Sequence, residues 1–346
     1  MGTDYSNILD NLKEKPPRKL NNHILVIDAM NTLIRSFSLI KSMNPDGAHV
    51  GGIVGFLRSL GFLTRTIDPT RVIIVWDGKG GSTNRKNINP DYKAQRATSR
   101  ITHWGLYDSK AEEMEALIGQ LYRLQDYLEC LPVHQIGMEK LEADDIIAYL
   151  AKEASGSPKV DKVTIVSSDK DFLQLVDNTI EVYAPVKKKT FTKDNVVDEI
   201  KVLPENYNII KALLGDNSDN IRGVKGLGIK TILSEWKSFT YDPLASINDV
   251  WDHCETQMDQ PKPKKIFAKI LHDWPRILQN YEIMNLHESV LDNSEKNLIL
   301  EVIKEDIPDL QTGAFLHLLD QDKIEGVTKN TEGWLETFRK LTVYKR

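Results

Sequence analysis

Nine carboxylates stand where a folded chain has to account for them: Asp28, Asp77, Glu142, Asp144, Asp145, Asp169, Asp171, Asp216 and Asp219. Asp169 and Asp171 are the sharpest case, two like charges directly after VTIVSS (163–168). Charges held that close raise each other's pKa unless a cation lies between them. Asp144 and Asp145 adjoin in LEADDIIAYL, and Asp216 and Asp219 lie three apart in GDNSDN. Each group alone has an ordinary reading, as acids complementing a helix N-terminus or as a solvated turn. Together they flank buried apolar runs, and unpaired they would cost several kcal/mol per buried ion. Oxygen ligands without nearby His or Cys suit hard divalent cations, magnesium or manganese. Two such ions about 4 Å apart clamp the attacking and leaving oxygens of an in-line phosphoryl displacement. One aspartate of the DKD pair can then bridge both ions while its neighbour binds one.

Such a cluster needs elements that converge. ILVI (24–27) ends at Asp28, VIIVW (72–76) ends at Asp77, and VTIV (163–166) is followed shortly by Asp169. All three have the length and β-branched bias of buried parallel strands. Helical spacing fills the intervals over 51–67, 111–130 and 142–154, and VHQI (133–136) is a weaker strand. Strands alternating with helices predict a mostly parallel, doubly wound α/β sheet. Ligands collect beyond the carboxyl ends of such strands, so three strands deliver an aspartate to one edge. From about residue 200 the chain turns helical, through ENYNIIKALLG, the glycine turn GVKGLGIKT and ILSEW, with a linker-like MDQPKPKK (258–265) further on.

The 346 residues allow a catalytic core with additional modules. A hydrophobic content of 40% and a charged content of 27% are those of a soluble globular protein. No apolar run approaches the roughly 18 residues of a membrane span. Residues 1–22 read as a polar leader without a signal-peptide core; Gly2 and Ser6 fit a myristoylation pattern, but no second anchor accompanies it. Two cysteines, Cys130 and Cys254, argue against zinc and disulfides and fit a reducing cytoplasm. The net charge of −5 disfavours nucleic acid until its distribution is examined. Arg85, Lys86, Lys93, Arg96 and Arg100 form one basic segment, Lys187, Lys188, Lys189 and Lys193 a second, and Arg222, Lys225 and Lys230 a third.

Seven stretches, in order from residue 23 to about 236, resemble the flap endonuclease family: VIDAMNTLIRSF, GAHVGGIVGFLRSL, VIIVWDG, NPDYKAQR, LEADDIIAYLAKE, VSSDKDFLQLV and LLGDNSDNIRGVKGLGIKTI. The likeness is to phage 5′ nucleases, including those of the phage RNase H type, and to the 5′-nuclease domain of bacterial DNA polymerase I. It implies a nuclease core over 23–200 with a helical arch at about 79–112, a helix–three-turn–helix duplex clamp over 201–240, and a helical region over 241–346. It implies a first metal site of Asp28, Asp77, Asp144 and Asp169 with Glu142 nearby. A second would comprise Asp169, Asp171, Asp216 and Asp219 with Asp145 nearby. Lys93 and Arg96 resemble the pair at the arch base that contacts the scissile phosphate. DNA-binding roles are implied for Arg85, Tyr92, Arg222, Lys225, Gly226, Gly228, Lys230 and Thr231.

The implied cofactors are two Mg²⁺ ions, replaceable by Mn²⁺, and a K⁺ ion at the glycine turn. The implied activity is 5′-3′ exonuclease and flap endonuclease cleavage by a cytoplasmic monomer in a bacterium or phage-infected host. Its partners would be flapped or nicked DNA duplex, RNA–DNA hybrid, and a replication clamp or single-strand binding protein. Two other readings compete, a PIN-type metal-dependent ribonuclease and a non-catalytic DNA-binding scaffold. The first needs no duplex clamp, and the second would show lost acids.

Overall fold

The computed structural model describes residues 20–95, 102, 103 and 105–344. The apolar runs become strands β1 (His23–Asp28), β2 (Arg71–Trp76) and β4 (Lys162–Val166), with β3 (His134–Gly137), β5 (Ile180–Ala184) and β6 (Lys189–Phe191) completing one sheet. Its order is β3-β2-β1-β4-β5-β6. The first five strands run parallel and β6 returns antiparallel to β5. Successive residues of a strand face opposite sides. In β1, Ile24 and Val26 enter one buried cluster while Leu25 and Ile27 enter another, and β2 splits the same way.

Helices α1 (Ala29–Leu39), α2 (Gly51–Ile67), α3 (Thr83–Ile88), α4 (Lys110–Glu129) and α5 (Ala143–Ser155) occupy the connections. Apolar residues of α2 and α4 cover one face, and those of α5 cover the other. Then follow α6 (Val196–Ile200), α7 (Tyr207–Leu214), a short hairpin of β7 (Gly215–Asp216) and β8 (Ile221–Arg222), and α8 (Ile229–Glu235). Val224, Leu227, Ile232 and Trp236 join the buried cluster that contains Ile24 and Val163, so the glycine turn is packed onto the nucleus of the fold.

The remaining helices divide between the two faces. Helices α9 (Ile247–Met258), α10 (Lys265–His272), α11 (Trp274–Met284) and α12 (Asn293–Lys304) place Val250, Phe267, Ile277 and Ile299 on the α5 side. Helices α13 (Thr312–Gln321) and α14 (Thr331–Arg339) cross over, and Phe315, Trp334 and Phe338 pack with α2 and α4. The crossing is pinned by polar contacts: the Arg123 guanidinium and the Tyr127 hydroxyl, at 2.8 Å, both donate to Asp322. Trp334 lies over Gly61, where an added Cβ would meet the indole nitrogen at 2.0 Å. No helix among the described residues is long and apolar enough to cross a membrane.

Candidate active site

The strand ends bring the predicted acids to one edge. Asp28 closes β1 and caps α1, its Oδ1 accepting from the Asn31 amide at 3.0 Å and its Oδ2 from the Ser167 hydroxyl at 2.9 Å. Asp77 follows β2 and accepts from the Ala143 amide at 2.9 Å, which ties β2 to the start of α5. Asp169 follows β4; its amide donates to Ser167 Oγ at 3.0 Å, and its Oδ1 accepts from the Asp171 amide at 2.9 Å. Each capping bond satisfies a backbone amide that would otherwise lack a partner, which fixes the carboxylates before any ligand arrives.

Burial pushes the Asp28 carboxyl up to about 7; Asp77 and Asp169 add to the rise, and the Asn31 amide and Ser167 hydroxyl oppose it. Burial likewise raises Asp144 well above the ordinary range, with Asp169 and Asp28 contributing. Burial and then Asp169 raise Asp171 to about 7, against the pull of Lys211. Asp169 is therefore the carboxylate felt by all three of these acids.

The second group already holds a cation. Lys211 on α7 is only 7% exposed, and its ammonium bridges Asp171 and Asp216, the latter at 2.7 Å. Asp216 sits at about 2, because Lys211 and Ser218 outweigh the effect of its burial. Sequence reasoning missed Lys211. Its signal was present, a single charge inside the apolar run NIIKALL, five residues before Asp216. Ser167 and Asn31, whose Oδ1 accepts from the Ser168 amide at 3.1 Å, were also missed.

Arg85 and Tyr92, expected to bind DNA, are instead buried. Arg85 is 8% exposed and its donors are spent internally, bidentate to Asp145 at 2.8 Å and single to Glu142 and the Ile283 carbonyl at 3.0 Å. Burial works against the charge, but Asp145 and Glu142 hold the guanidinium's pKa above its ordinary value. The Tyr92 hydroxyl donates to Glu142 at 3.0 Å and approaches Asp219 at 3.4 Å. Lys93 donates to both Glu142 oxygens at 2.9 Å. Burial would raise the Glu142 pKa, yet Arg85 and Lys93 bring it below the usual value. Glu142 and Asp145 thus face protein cations. Arg96 lies outside the described residues.

Lys93 is held in an unusual way. Its φ is +55°, a left-handed conformation uncommon outside glycine, and its amide donates to the Asp219 carbonyl at 2.9 Å. This bond joins the segment around Lys93 to the GDNSDN hairpin. In the glycine turn, Arg222, Lys225 and Lys230 are exposed and Thr231 is half-buried. Gly226 has φ +88°, which needs glycine, whereas a Cβ on Gly228 would meet open space. The Lys225 carbonyl accepts from the Lys269 ammonium at 3.2 Å.

Among the described residues, no three acidic, His or Cys side chains are drawn together into a ready-made metal cage. The donors nevertheless fit hard divalent cations: Asp28, Asp144 and Asp169 carry oxygens close enough to repel one another, and the Lys211 ammonium stands between Asp171 and Asp216 as a cation would. Asp171, Lys211 and Asp216 line a cavity of about 510 Å³ with Asp169 and Lys170 at the same edge.

Residues 23–201 match the family described as 5′-3′ exonuclease, N-terminal resolvase-like domain. A 5′-3′ exonuclease of Aquifex aeolicus is 28% identical over 299 residues, which cover 86% of this chain and 95% of that one. A 5′-3′ exonuclease of Bacillus subtilis is 34% identical over 220 residues, covering 61% and 68% respectively. The fold is similar to that of the bacteriophage T5 flap endonuclease, solved in a pseudo-enzyme–product complex with DNA and metal ions. There the TM-score is 0.65 at 19% identity, covering 82% of this chain and all of the other.

Proposed function

The chain belongs to the 5′-3′ exonuclease family, and from that premise we propose a structure-specific 5′ nuclease that hydrolyses phosphodiesters at DNA flaps, nicks and RNA-primer ends. The observation that carries this reading is the row of carboxylates beyond β1, β2 and β4, with Lys93 beside it. The β7–β8 hairpin and glycine turn next to that row favour a duplex substrate over the single strand of a PIN-type ribonuclease. A 5′-labelled flap duplex incubated with Mg²⁺ should be cut near the junction and stay intact in EDTA. Uncut flap in Mg²⁺ would overturn the reading.

Asp28, Asp77, Asp144 and Asp169 would hold one divalent ion, and Asp169, Asp171, Asp216 and Asp219 a second. Such a pair supplies a nucleophilic water at neutral pH and neutralises charge on the attacking and leaving oxygens. Lys211 must yield or share Asp171 and Asp216 when the second position fills. A potassium ion at the glycine turn would have to share the Lys225 carbonyl with Lys269.

Loading should depend on pH. With folded values of about 7 against an ordinary value of 3.8, Asp28 and Asp171 destabilise the metal-free fold fully above pH 7, and that cost declines as pH falls from there toward the ordinary carboxylate range. A divalent ion binds the deprotonated forms. The rise in melting temperature on adding Mg²⁺ should therefore be full at pH 8 and shrink toward pH 6, by about 1.4 kcal/mol per pH unit for each proton displaced. Buried His134 and His287, both lowered to about 4 by burial, oppose this trend in the fold itself. Comparing samples with and without Mg²⁺ at each pH cancels their contribution. An increment independent of pH would show that these carboxylates are not ligands.

Lys93 exchanges Glu142 for the scissile phosphate when substrate arrives. Lys93→Ala should lower single-turnover cleavage by roughly 10²–10³, as for loss of other donors aimed at developing charge. One phosphate contact among many takes off only a modest share of affinity. Glu142 keeps Arg85 and Tyr92, so the fold should survive. Equal losses in rate and affinity would reduce Lys93 to a DNA-holding residue.

A further inference from the structure

The second basic segment has no part in the chemistry above, yet the fold carries it to the same edge as the carboxylates. Because β5 runs parallel to β4, its carboxyl end lies beside Ser167, whose amide donates to the Tyr183 carbonyl at 3.3 Å. The chain then turns through Lys187 and Lys188, the latter at φ +49°, and returns as β6. Lys187, Lys188 and Lys189 are all exposed. Lys187 and Lys189 lie against the ring of buried Phe191, at 5.5 and 4.8 Å, which holds both on one platform.

This turn is connected to the catalytic edge. Lys170, between Asp169 and Asp171, lines the 510 Å³ cavity and reaches Glu199 at 3.1 Å. Lys187 reaches the same Glu199 oxygen at 2.6 Å. Glu199 is thereby neutralised twice, by Lys187 first and Lys170 second, and its pKa is lowered. Counting Lys193 and Lys201, this corner of the fold has six lysines against Asp194, Asp198 and Glu199. In the sheet, β2, β1 and β4 carry the carboxylate row, and β5 and β6 lie next in order beyond β4.

We propose that the β5–β6 turn, through Lys187, Lys188 and Lys189, is a docking site for nucleic-acid phosphates where a strand leaves the carboxylate row past the carboxyl end of β5. The inference rests on the nuclease reading. A strand crossing the row presents a phosphate at every nucleotide, and an exposed ammonium binds one without reading a base. The turn would therefore set affinity and the length of strand engaged, with no effect on the bond-breaking step.

The test uses the full chain with Lys187, Lys188 and Lys189 all changed to Ala. Binding to a 5′-flap DNA duplex is measured in Ca²⁺ from 50 to 300 mM KCl. A duplex contact contributes about 0.9 to the slope of log affinity against log salt, so the slope should fall by roughly 2–3. Affinity near 0.1 M KCl should drop about tenfold or more, with saturated single-turnover cleavage within twofold of wild type. Lys159 and Lys162, at the amino end of β4 on the far edge of the sheet, provide the control pair; changing both to Ala should leave the slope alone. An unchanged slope in the triple variant overturns the proposal, as does an equal loss in the control pair. If wild-type protein neither binds nor cuts the flap, the nuclease reading itself has failed, a result distinct from either.

Discussion

Replacing Asp169 with asparagine is expected to reduce flap cleavage by about 10³-fold or more and leave the fold intact. Asp169 raises the pKa of Asp28, Asp144 and Asp171 alike, so it lies within electrostatic reach of both carboxylate groups. An amide there would weaken the hold on either cation, and charge compensation at the reacting phosphate is commonly the largest contribution to such catalysis. Asparagine keeps the oxygen that accepts from the Asp171 amide, and Asn caps a helical turn about as well as Asp. Removing one of several mutually repelling charges should even raise the melting temperature of the metal-free protein at pH 8. Single-turnover cleavage and a thermal melt on the same sample check both halves. Cleavage within tenfold of wild type would remove Asp169 from the metal assignment.

The second large effect concerns stability. Arg85→Met should cost about 3–5 kcal/mol, the usual loss when one partner of a buried ion pair is removed. Glu142 would keep Lys93 and Tyr92, but Asp145 would lose both of its bidentate bonds. The Ile283 carbonyl would lose a donor as well, loosening α11 from α3. A solvent-facing arginine that only touches DNA would cost within about 0.5 kcal/mol on removal. Urea unfolding separates the two cases. An unchanged midpoint with weakened DNA binding would restore Arg85 to the DNA surface.

That contrast shows where sequence reading succeeds and where it stops. Runs such as ILVI, VIIVW and VTIV could be read as parallel strands because burial on both faces demands unbroken β-branched residues. The helix limits 51–67 are met by α2, since its apolar spacing is regular from end to end. Asp28, Asp77 and Asp169 could be located from their positions after these strands, and the other acids from the helix start and turn that carry them. Their partners could not. A basic segment reads as a surface, and nothing in its order distinguishes Arg85, turned inward onto Asp145, from Lys187, turned outward. Lys211 was hidden for the converse reason, a charge inside a helix that reads as plain core. Strand β6 has only three residues, too few for an alternating pattern to register. The helical character of the last hundred residues was legible, but amphipathic spacing does not say which face of the sheet receives them.

The crossing of α13 and α14 bears on how the chain is made. Their partners in α2 and α4 are synthesised near the beginning, so Phe56, Leu57 and Leu60 meet Trp334 and Phe338 only across most of the sequence. At roughly 5–20 residues per second, that delay amounts to tens of seconds during which a nascent chain bears an uncovered apolar face. Contacts this remote also close slowly in refolding, because the loop entropy is lost before the contact forms. Until α13 and α14 are made, the apolar face of α2 and α4 is therefore the part of the growing chain with the longest wait for its native cover.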